Sequence, residues 1–392
     1  MTVLDRLDSQ IKLNATETML LESVRALARD LIAPNAARYD ESGEFPWDNI
    51  KAINALGLNA MFVPEAFGGA QMSYTAYLAC VHEISQACAS TGIIWATNFH
   101  AMKPLIDFGT DEQKTRLLPR LVQGGLASLA ITEPTAGSDA TGMKTRFRPD
   151  GEHIVVDGAK TFITNGDVAD LYLLFGKWSE IKSSKESISV LVFEKGTSGF
   201  SVLGTERKMG HRASSTAAIS FDSCRVPRAN LLGKPGDGLR ILFASLNKSR
   251  PSVAAHALGI ARAAFRRAVN YANERKQGGR RVIDNQGIQF MVAEMATELV
   301  LCESWLWRLA EMVDSGATDF GIESSMLKMK ASDVAMMVTE NAVQMHGGYG
   351  YCRDYEVERM MRDAKITQIW EGTNQIHRQL IGRSFVSRSG LR

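Results

Sequence analysis

The spacing of apolar residues changes twice along the 392-residue chain, and the order of these changes constrains the fold more than any other feature. Between residues 16 and 125, apolar residues recur at steps of three and four, which predicts amphipathic helices. From about residue 126, short β-rich runs alternate with turns rich in Gly, Asp, Asn and Ser, which predicts an all-β unit. Beyond Gly238 long helical stripes return, and antiparallel helices of this length predict a bundle.

These patterns predict a multidomain α+β protein with an all-α domain over 1–125, a β domain over 126–238 and an α-helical bundle over 239–392. In the first domain, Pro34 is expected to end a helix that begins near Met19, and 65–69 is expected to be a loop. Strands are predicted at 153–156, 171–175, 187–193, 200–203 and 217–221, and helices at 73–88, 254–272, 288–313 and 327–345.

Charge, hydropathy and cysteine spacing give no indication of nucleic-acid binding, a membrane span or disulfide bonds. Lys and Arg number 45 against 43 Asp and Glu, so a net charge of +2 gives no reason to expect nucleic acid. The chain has no run of about 18 apolar residues and no targeting signal at its beginning, so we expect a cytoplasmic protein without a membrane span. Its five cysteines are widely spaced and are expected to be reduced and buried.

The usual metal and nucleotide motifs are incomplete. His82-Glu83 begins a zinc-binding HExxH pattern, but Gln86 stands where the second histidine would lie, so no metal site is predicted. P-loop and nucleophile-elbow patterns do not occur. Gly236-Asp237-Gly238 lacks the third glycine of a dinucleotide fingerprint and does not lie in a βαβ unit.

Three segments are candidates for binding a ligand. Residues 130–139 combine Thr, Ser, Gly and Pro in one loop, whose amides and hydroxyls could bind an anion, although an ordinary turn is equally consistent. Residues 160–166 read as a strand that ends in an Asn-Gly turn. The glycines of 346–350 permit close approach to a phosphate or simply cap a helix.

In this order and around a β middle, these segments resemble the acyl-CoA dehydrogenase flavoprotein family over nearly the whole chain. The matching motifs are Thr-Glu-Pro-x-Ala-Gly-Ser-Asp at 132–139, Met209-Gly210-x-Arg212, Val226-Pro227 with Asn230-Leu231-Leu232-Gly233, Arg362-Asp363-Ala364 and Ile369-Trp370-Glu371-Gly372-Thr373. The resemblance implies a β-barrel-like middle domain and a C-terminal four-helix bundle, with FAD held between them and across a subunit contact.

The resemblance also assigns roles to individual residues. It places Thr132 and Thr164 on the flavin ring, Ser138 near the FAD pyrophosphate and the CoA, and Phe162 beside the flavin, where Trp is usual. It assigns contacts with the FAD of the neighbouring subunit to Arg275, Gln286, Gln344, Gly347 and Gly348. Arg250, Trp370 and Gly372 are expected at the substrate and Thr373 at the cofactor.

The implied reaction is FAD-dependent α,β-dehydrogenation of an acyl-CoA thioester to the trans-2-enoyl-CoA, as in fatty acid metabolism. Glu371 resembles the base that removes the α-proton, while flavin N5 accepts the β-hydride. Burial against the flavin and thioester makes a carboxylate a stronger base. A backbone N–H at Glu371 and a flavin ribityl hydroxyl would hold the thioester oxygen. Isovaleryl-type members take the base from the position of Ser249, which cannot serve here.

Two features bear on cofactor and substrate. The family usually has Arg-x-x-Phe-Gly where this chain has Arg275-Lys276-Gln277-Gly278-Gly279, so we expect weaker FAD retention or compensation by another side chain.

The floor of the acyl pocket is expected on the helix spanning 90–104. There the small Gly92 and Ala96 would leave room, whereas Trp95 and Phe99 would form a plug for short chains. The absence of arginine from 90–99 disfavours a dicarboxylate substrate.

The leading hypothesis is a homotetrameric acyl-CoA dehydrogenase, a dimer of dimers, that passes electrons to an electron-transfer flavoprotein. One alternative is a flavin-dependent monooxygenase of the same fold, which would not need a base at Glu371. Another is a non-catalytic acyl-CoA- or DNA-associated protein of that fold, which the near-neutral charge disfavours.

Overall fold

The computed structural model describes residues 2–386, so Met1 and residues 387–392, the outer ends of the predicted first and last domains, lie outside the described residues. Helices come first, then a sheet, then helices again, which confirms the predicted fold class. The first helices are α1 (Val3–Asp8), α2 (Ala15–Leu27), α3 (Ala33–Ser42), α4 (Trp47–Ala55), α5 (Tyr74–Ala87), α6 (Ala89–Phe108) and α7 (Asp111–Val122).

The prediction that Pro34 ends the first long helix is wrong. One π-helical turn, Ala28–Ile32, joins α2 to α3, and the amide of Ala33 donates to the carbonyl of Ala28, five residues back. Pro34 therefore lies at the start of α3, directly after the π turn, and the helical backbone continues on both sides of it. The segment 65–69, predicted to be a loop, contains one 3₁₀ turn at Glu65–Phe67.

Eight strands form one sheet: β1 (Ala127–Ala130), β2 (Arg146–Asp150), β3 (His153–Thr164), β4 (Leu171–Trp178), β5 (Ile188–Glu194), β6 (Phe200–Thr205), β7 (Thr216–Pro227) and β8 (Leu231–Leu232). Their order is β6-β7-β3-β2-β4-β5-β8, and β1 pairs with β4 in parallel. All five predicted strands are confirmed as β3 to β7. The sequence pattern missed β2 because Pro149 and three charged residues mask its single buried side chain, Phe147.

The second helical region contains α8 (Gly238–Glu274), α9 (Gln286–Asp314), α10 (Gly321–His346), α11 (Val357–Ile366) and α12 (Asn374–Ser384). All three predicted bundle helices are confirmed as α8, α9 and α10. A two-residue turn joins β9 (Lys276–Gln277) to β10 (Arg280–Arg281) between α8 and α9.

Buried polar contacts connect the two helical regions. Arg262 of α8 lies 2.9 Å from a carboxylate oxygen of Glu303 on α9, and His82 of α5 lies 3.2 Å from the other oxygen. All three side chains are buried. Because an unpaired buried charge is costly, this network fixes α5 against the bundle.

Two expectations concern membrane spans and cysteines. None of the helices within 2–386 has the length and apolar character needed to cross a bilayer. Four of the five cysteines are buried, but Cys352 is exposed, so the expectation of burial is wrong for that residue. Cys352 follows the 3₁₀ turn Gly347–Tyr351, a surface segment after α10.

Candidate active site

A tight turn between α11 and α12 presents Glu371 to the face of α8. Glu371 is partly buried and has φ of +52°, a left-handed conformation that is unusual for a residue with a side chain. The hydroxyl of Ser249 on α8 donates a hydrogen bond of 2.8 Å to Oε2 of Glu371. Ser249 cannot serve as a base, but its hydroxyl thus orients the carboxylate of Glu371.

Two buried basic side chains lie beside this carboxylate. Nζ of Lys328 on α10 donates to the carbonyl of Gly372 at 2.7 Å, and burial lowers the pKa of Lys328 to about 7. Nη1 of Arg250 donates to the hydroxyl of Ser325 at 3.0 Å. Burial also lowers the pKa of Arg250, and the charge of Glu371 opposes both shifts. Nε of Arg250 is buried and has no partner within the described chain, so it can donate a hydrogen bond to a ligand.

A polar cluster borders the same carboxylate from α5 and α6. The hydroxyl of Ser252 lies 2.8 Å from the hydroxyl of Tyr77 and 3.1 Å from Nε2 of His100. Burial lowers the pKa of His100, and the nearby charge of Glu371 opposes that shift. The ring of Tyr77 stacks on Phe99 with centroids 4.0 Å apart.

The expectation that Gly92 leaves room for an acyl chain is wrong. A Cβ on Gly92 would lie 2.3 Å from the hydroxyl of Ser85 and 3.3 Å from Nδ1 of His256, so this glycine permits α6 to approach α5 and α8 closely. Trp95 and Phe99 are only 1% and 2% exposed, and both contact the Tyr77 ring. Ser85 and His256 therefore fill the space beside Gly92, while the rings of Trp95 and Phe99 pack on Tyr77.

A pair of histidines connects the sheet to the bundle behind Trp370. Nε2 of His211, in the segment between β6 and β7, lies 2.8 Å from Nε2 of His256 on α8. Nδ1 of His256 is in turn 2.7 Å from the hydroxyl of Ser85. The Trp370 ring packs against both imidazoles, with centroid distances of 5.2 and 5.7 Å. This packing fixes the residue that precedes Glu371.

The loop that carries Thr132 and Ser138 is anchored by a buried ion pair. Nζ of Lys160 lies 2.8 Å from Oε1 of Glu133, which also accepts a bond of 2.9 Å from the amide of Thr145. Burial lowers the pKa of Lys160 to about 8. Ser138 is exposed at the end of this loop. The carboxylate of Glu133 thus holds the loop in position, and Ser138 remains accessible to a ligand.

The second predicted flavin segment lies beside the first. The amide of Thr161 donates to the carbonyl of Thr132 at 2.9 Å, and β3 ends at Thr164. Phe162 is 63% exposed and has φ of +57°. An exposed aromatic ring held in a strained conformation next to Thr132 is consistent with a surface that a planar ligand covers.

The residues predicted to reach a neighbouring subunit lie elsewhere. Arg275 caps α8, 26 residues after Ser249, which is roughly 39 Å along a helix axis. Its guanidinium lies 5.3 Å from the Tyr349 ring centroid. The same end of the bundle carries the exposed residues Gln286, Gln344, Gly347 and Gly348. Space around the Cβ positions of Gly347 and Gly348 is open within the described chain, so a ligand could approach their backbone.

Two further expectations concern ligands. The hydroxyl of Thr373, predicted at the cofactor, accepts from the amide of Ile376 at 3.3 Å and so caps α12. Residues 2–386 contain no cluster of three or more His, Cys, Asp or Glu side chains suited to a metal ion.

Comparisons with known proteins agree with this architecture. The chain matches the N-terminal domain of acyl-CoA dehydrogenase over residues 14–125, the middle domain over 128–224 and the C-terminal domain over 236–386. The chain belongs to the acyl-CoA dehydrogenase family. It is therefore an oxidoreductase that acts on CH–CH bonds, and the family implies a flavin cofactor.

Individual relatives match over almost their full length. An acyl-CoA dehydrogenase of Bacillus subtilis is 42% identical over 94% of this chain and 97% of its own. The solved butyryl-CoA dehydrogenase of Megasphaera elsdenii is 34% identical, with a TM-score of 0.93 over 96% of this chain and 99% of its own. A structure described as the electron transferring flavoprotein of Acidaminococcus fermentans contains a chain that is 37% identical, with a TM-score of 0.93 and coverages of 96% and 99%.

Proposed function

We propose that this protein catalyses α,β-dehydrogenation of an acyl-CoA thioester to the trans-2-enoyl-CoA, with Glu371 as the base that removes the α-proton. The observation that carries this proposal is the hydrogen bond of 2.8 Å from Ser249 to Oε2 of Glu371. It fixes one carboxylate oxygen, whereas Oε1 accepts no hydrogen bond from a described residue. The second oxygen is therefore available to a substrate proton.

Substrate polarisation is the second requirement of the reaction. The α-proton becomes acidic enough only if negative charge on the thioester oxygen is stabilised by donors. The backbone N–H of Glu371 makes no hydrogen bond within the described chain and lies in the same turn as the carboxylate. We assign this N–H as one donor to the thioester oxygen. Arg250, with its unpaired Nε, provides positive charge near the same turn.

The residues present fit FAD as the flavin. When bound, FAD would accept the β-hydride of the acyl group. Thr132 and Thr164 offer polar groups near the ends of β1 and β3, and Phe162 offers an exposed ring on β3. Ser138 stands on the outer part of the same loop, where it can meet a phosphate. Trp370, which precedes Glu371, is held by its packing on His211.

Each active site is proposed to use two subunits. Arg275, Gln286, Gln344, Gly347 and Gly348 lie at the far end of α8, beyond the reach of a dinucleotide bound near Glu371. We therefore propose that these residues hold the FAD of a neighbouring chain and that the protein is a homotetramer. An electron-transfer flavoprotein is the proposed acceptor, in line with the description of one structural neighbour.

The proposed substrate has a short acyl chain. Tyr77 reaches the site through its bond with Ser252, and its ring is backed by Phe99 and Trp95. These rings leave less depth than the small residues of α6 suggested. A panel of saturated acyl-CoAs of increasing length and branching, measured by flavin bleaching with an artificial acceptor, is expected to show the highest kcat/KM for short chains. A maximum at long chains would contradict this assignment.

The decisive test of the base is Glu371→Gln, with the exposed Glu340→Gln as a matched control. The Glu371 variant is expected to retain flavin and to bind acyl-CoA, but to lose reduction of the flavin by substrate. The control is expected to behave as the wild type. Bleaching of the Glu371 variant at the wild-type rate would remove Glu371 from the mechanism. Rapid reoxidation of the reduced protein by oxygen would instead favour the monooxygenase alternative.

A further inference from the structure

Lys328 is a buried lysine on α10 whose ammonium group contacts the turn that carries the proposed base. Its exposed fraction is 0%. Nζ lies 2.7 Å from the carbonyl oxygen of Gly372 and 3.2 Å from Oδ1 of Asn374. Burying an ammonium group is costly unless its donors are satisfied, so these bonds are needed to keep the lysine where it is. Both acceptors lie within three residues of Glu371.

The turn needs outside support because its backbone is strained. Glu371 has φ of +52° and Gly372 has φ of +91°. Only the glycine adopts such angles readily, so Glu371 would relax to a right-handed or extended conformation if nothing held its neighbours. That relaxation would swing the carboxylate away from Ser249. The bond from Lys328 to the Gly372 carbonyl opposes this movement.

Asn374 extends the same support to the other end of the turn. Its Oδ1 accepts from Lys328, and its Nδ2 donates to Oδ1 of Asp333 at 2.8 Å and to the hydroxyl of Ser332 at 2.9 Å. Lys328, Ser332 and Asp333 all belong to α10. Helix α10 therefore forms hydrogen bonds both with the first residue of α12 and with the turn that precedes it.

We propose that Lys328 is a positioning residue for the dehydrogenation reaction, which holds the Glu371–Asn374 turn and places a positive charge beside the carboxylate. The inference rests on the proposed role of Glu371 as the base. Lys328 touches neither substrate nor flavin in this assignment. It acts through the backbone of Gly372 and through its charge. The lysine was not identified from the sequence, where it stands next to the apolar stripe of the 327–345 helix.

Charged and titratable groups face Lys328 from four elements. Glu371 approaches from the turn, Arg250 from α8, Asp333 from α10 itself and His377 from α12. Glu371 and Asp333 favour the charged lysine, whereas Arg250 disfavours it. A neutral side chain at position 328 would leave the deprotonated Glu371 with one cation fewer.

The test compares Lys328→Met and Lys328→Gln with Lys330→Met in the flavin-loaded protein. Lys330 is a matched control because it lies two residues further along α10, half-exposed, in an ion pair with Glu298. Flavin content, thermal midpoint, acyl-CoA affinity and the rate constant of flavin reduction are measured over a range of pH. Both Lys328 variants remove the charge, but Gln retains an N–H donor on a side chain that is one bond shorter than that of lysine.

We expect Lys328→Met to retain flavin and substrate affinity while the rate constant of flavin reduction falls on the order of 100-fold, since small displacements of a reacting group have effects of that size. The acidic limb of its pH–rate profile is expected to move to higher pH, because the carboxylate loses a neighbouring cation. Lys328→Gln is expected to recover part of the rate but to show the same pH displacement. Lys330→Met is expected to match the wild type.

Two results would overturn the proposal. One is a wild-type rate and pH profile in both Lys328 variants. The other is a loss of activity that follows the loss of folded, flavin-loaded protein and leaves the pH profile unchanged, as a purely structural lysine would give. If Lys328→Met does not fold, Lys328→Gln decides between these outcomes. Glu371→Gln separates the two proposals: if it still reduces flavin, the proposed base is wrong, whereas an inactive Glu371→Gln with an unaffected Lys328→Gln refutes only the role of Lys328.

Discussion

The hydroxyl of Ser249 donates a hydrogen bond of 2.8 Å to Oε2 of Glu371, across 122 positions of sequence. Ser249 is 1% exposed, so water does not readily replace this donor. A bond from a neutral donor to a charged acceptor contributes about 1.5–3 kcal/mol. The orientation of the proposed base therefore depends on a residue of α8 as much as on its own turn.

Replacing this hydroxyl is expected to slow the reaction without unfolding the protein. In Ser249→Ala, the rate constant of flavin reduction by acyl-CoA is expected to fall about tenfold or more, because the carboxylate loses a bond worth at least ~1.4 kcal/mol. Stopped-flow bleaching of the flavin measures this rate. Ser249→Thr keeps a hydroxyl and is expected to retain most of the rate. An unchanged Ser249→Ala would show that the bond does not orient the base.

The ion pair between Lys160 and Glu133 is expected to control both stability and flavin retention. Lys160→Met leaves a buried carboxylate without its cation, which costs about 3–5 kcal/mol of unfolding free energy. The loop with Thr132 and Ser138 would loosen, so the flavin Kd is expected to rise. Denaturant unfolding and flavin titration measure the two effects. The double variant Glu133→Gln/Lys160→Met is expected to be more stable than Lys160→Met alone, and equal stability would argue against the pairing.

Asp363 on α11 is expected to make stability depend on pH. Burial raises its pKa to about 6 from a usual value of 3.8, although the amide of His211 donates to it. A carboxyl with a raised pKa in the folded state binds its proton more tightly there, so it stabilises the fold below pH 4 and loses this contribution as the pH rises through 6.

Asp363→Asn tests this relationship because asparagine stays neutral. The stability of the wild type relative to the variant is expected to fall by about 3 kcal/mol between pH 4 and 7. Thermal or denaturant unfolding at several pH values measures the difference. The exposed Asp354→Asn is expected to show a constant difference over the same range, and a constant difference for Asp363→Asn would exclude the proposed burial effect.

The glycine pair between β9 and β10 is expected to weaken FAD binding. Gly278 and Gly279 have φ of +57° and +79°, and space around the Cβ position of Gly278 is open within residues 2–386. A phenylalanine there, as is usual in the family, is expected to tighten FAD binding, by up to ~3 kcal/mol of ring burial. Titration of apo-protein with FAD compares Gly278→Phe with Gly278→Asn. Asparagine tolerates a positive φ, so it controls for backbone strain. Equal affinity in the two variants would refute the idea.

Much of the fold follows from local pattern, and the exceptions have local causes. The short β-rich runs of β3 to β7 and the long apolar stripes of α8, α9 and α10 are local features, so the sequence predicts them. It does not show that β4, β5 and the middle of α8 are buried on all sides. The prediction that Pro34 ends a helix failed because a π turn precedes it and the helical backbone continues into α3. The prediction that Gly92 leaves room for an acyl chain failed because this glycine permits a close contact between helices.

In the candidate site, too, some residues could be predicted from the sequence and others could not. Glu371 lies in a contiguous motif, so resemblance alone is enough to propose it as the base. Ser249 and Lys328 act through contacts with residues more than 40 positions away, which no local spacing encodes. A lysine beside an apolar helical stripe was a usable signal for a buried, paired charge. Its partner, a backbone carbonyl, could be identified only from the structure.

The two facing imidazoles of His211 and His256 have a consequence for the direction of hydrogen bonding. Two ring nitrogens 2.8 Å apart can share only one hydrogen between them. Nδ1 of His211 lies 3.7 Å from Oδ1 of Asp363, so an ionised Asp363 favours a hydrogen on that nitrogen, and His256 must then act as donor to His211 and as acceptor from Ser85. A protonated Asp363 removes this preference and lets the whole chain of hydrogens reverse. The ionisation of Asp363 on α11 therefore determines the tautomers of both histidines. Through them it determines whether the hydroxyl of Ser85 on α5 donates or accepts.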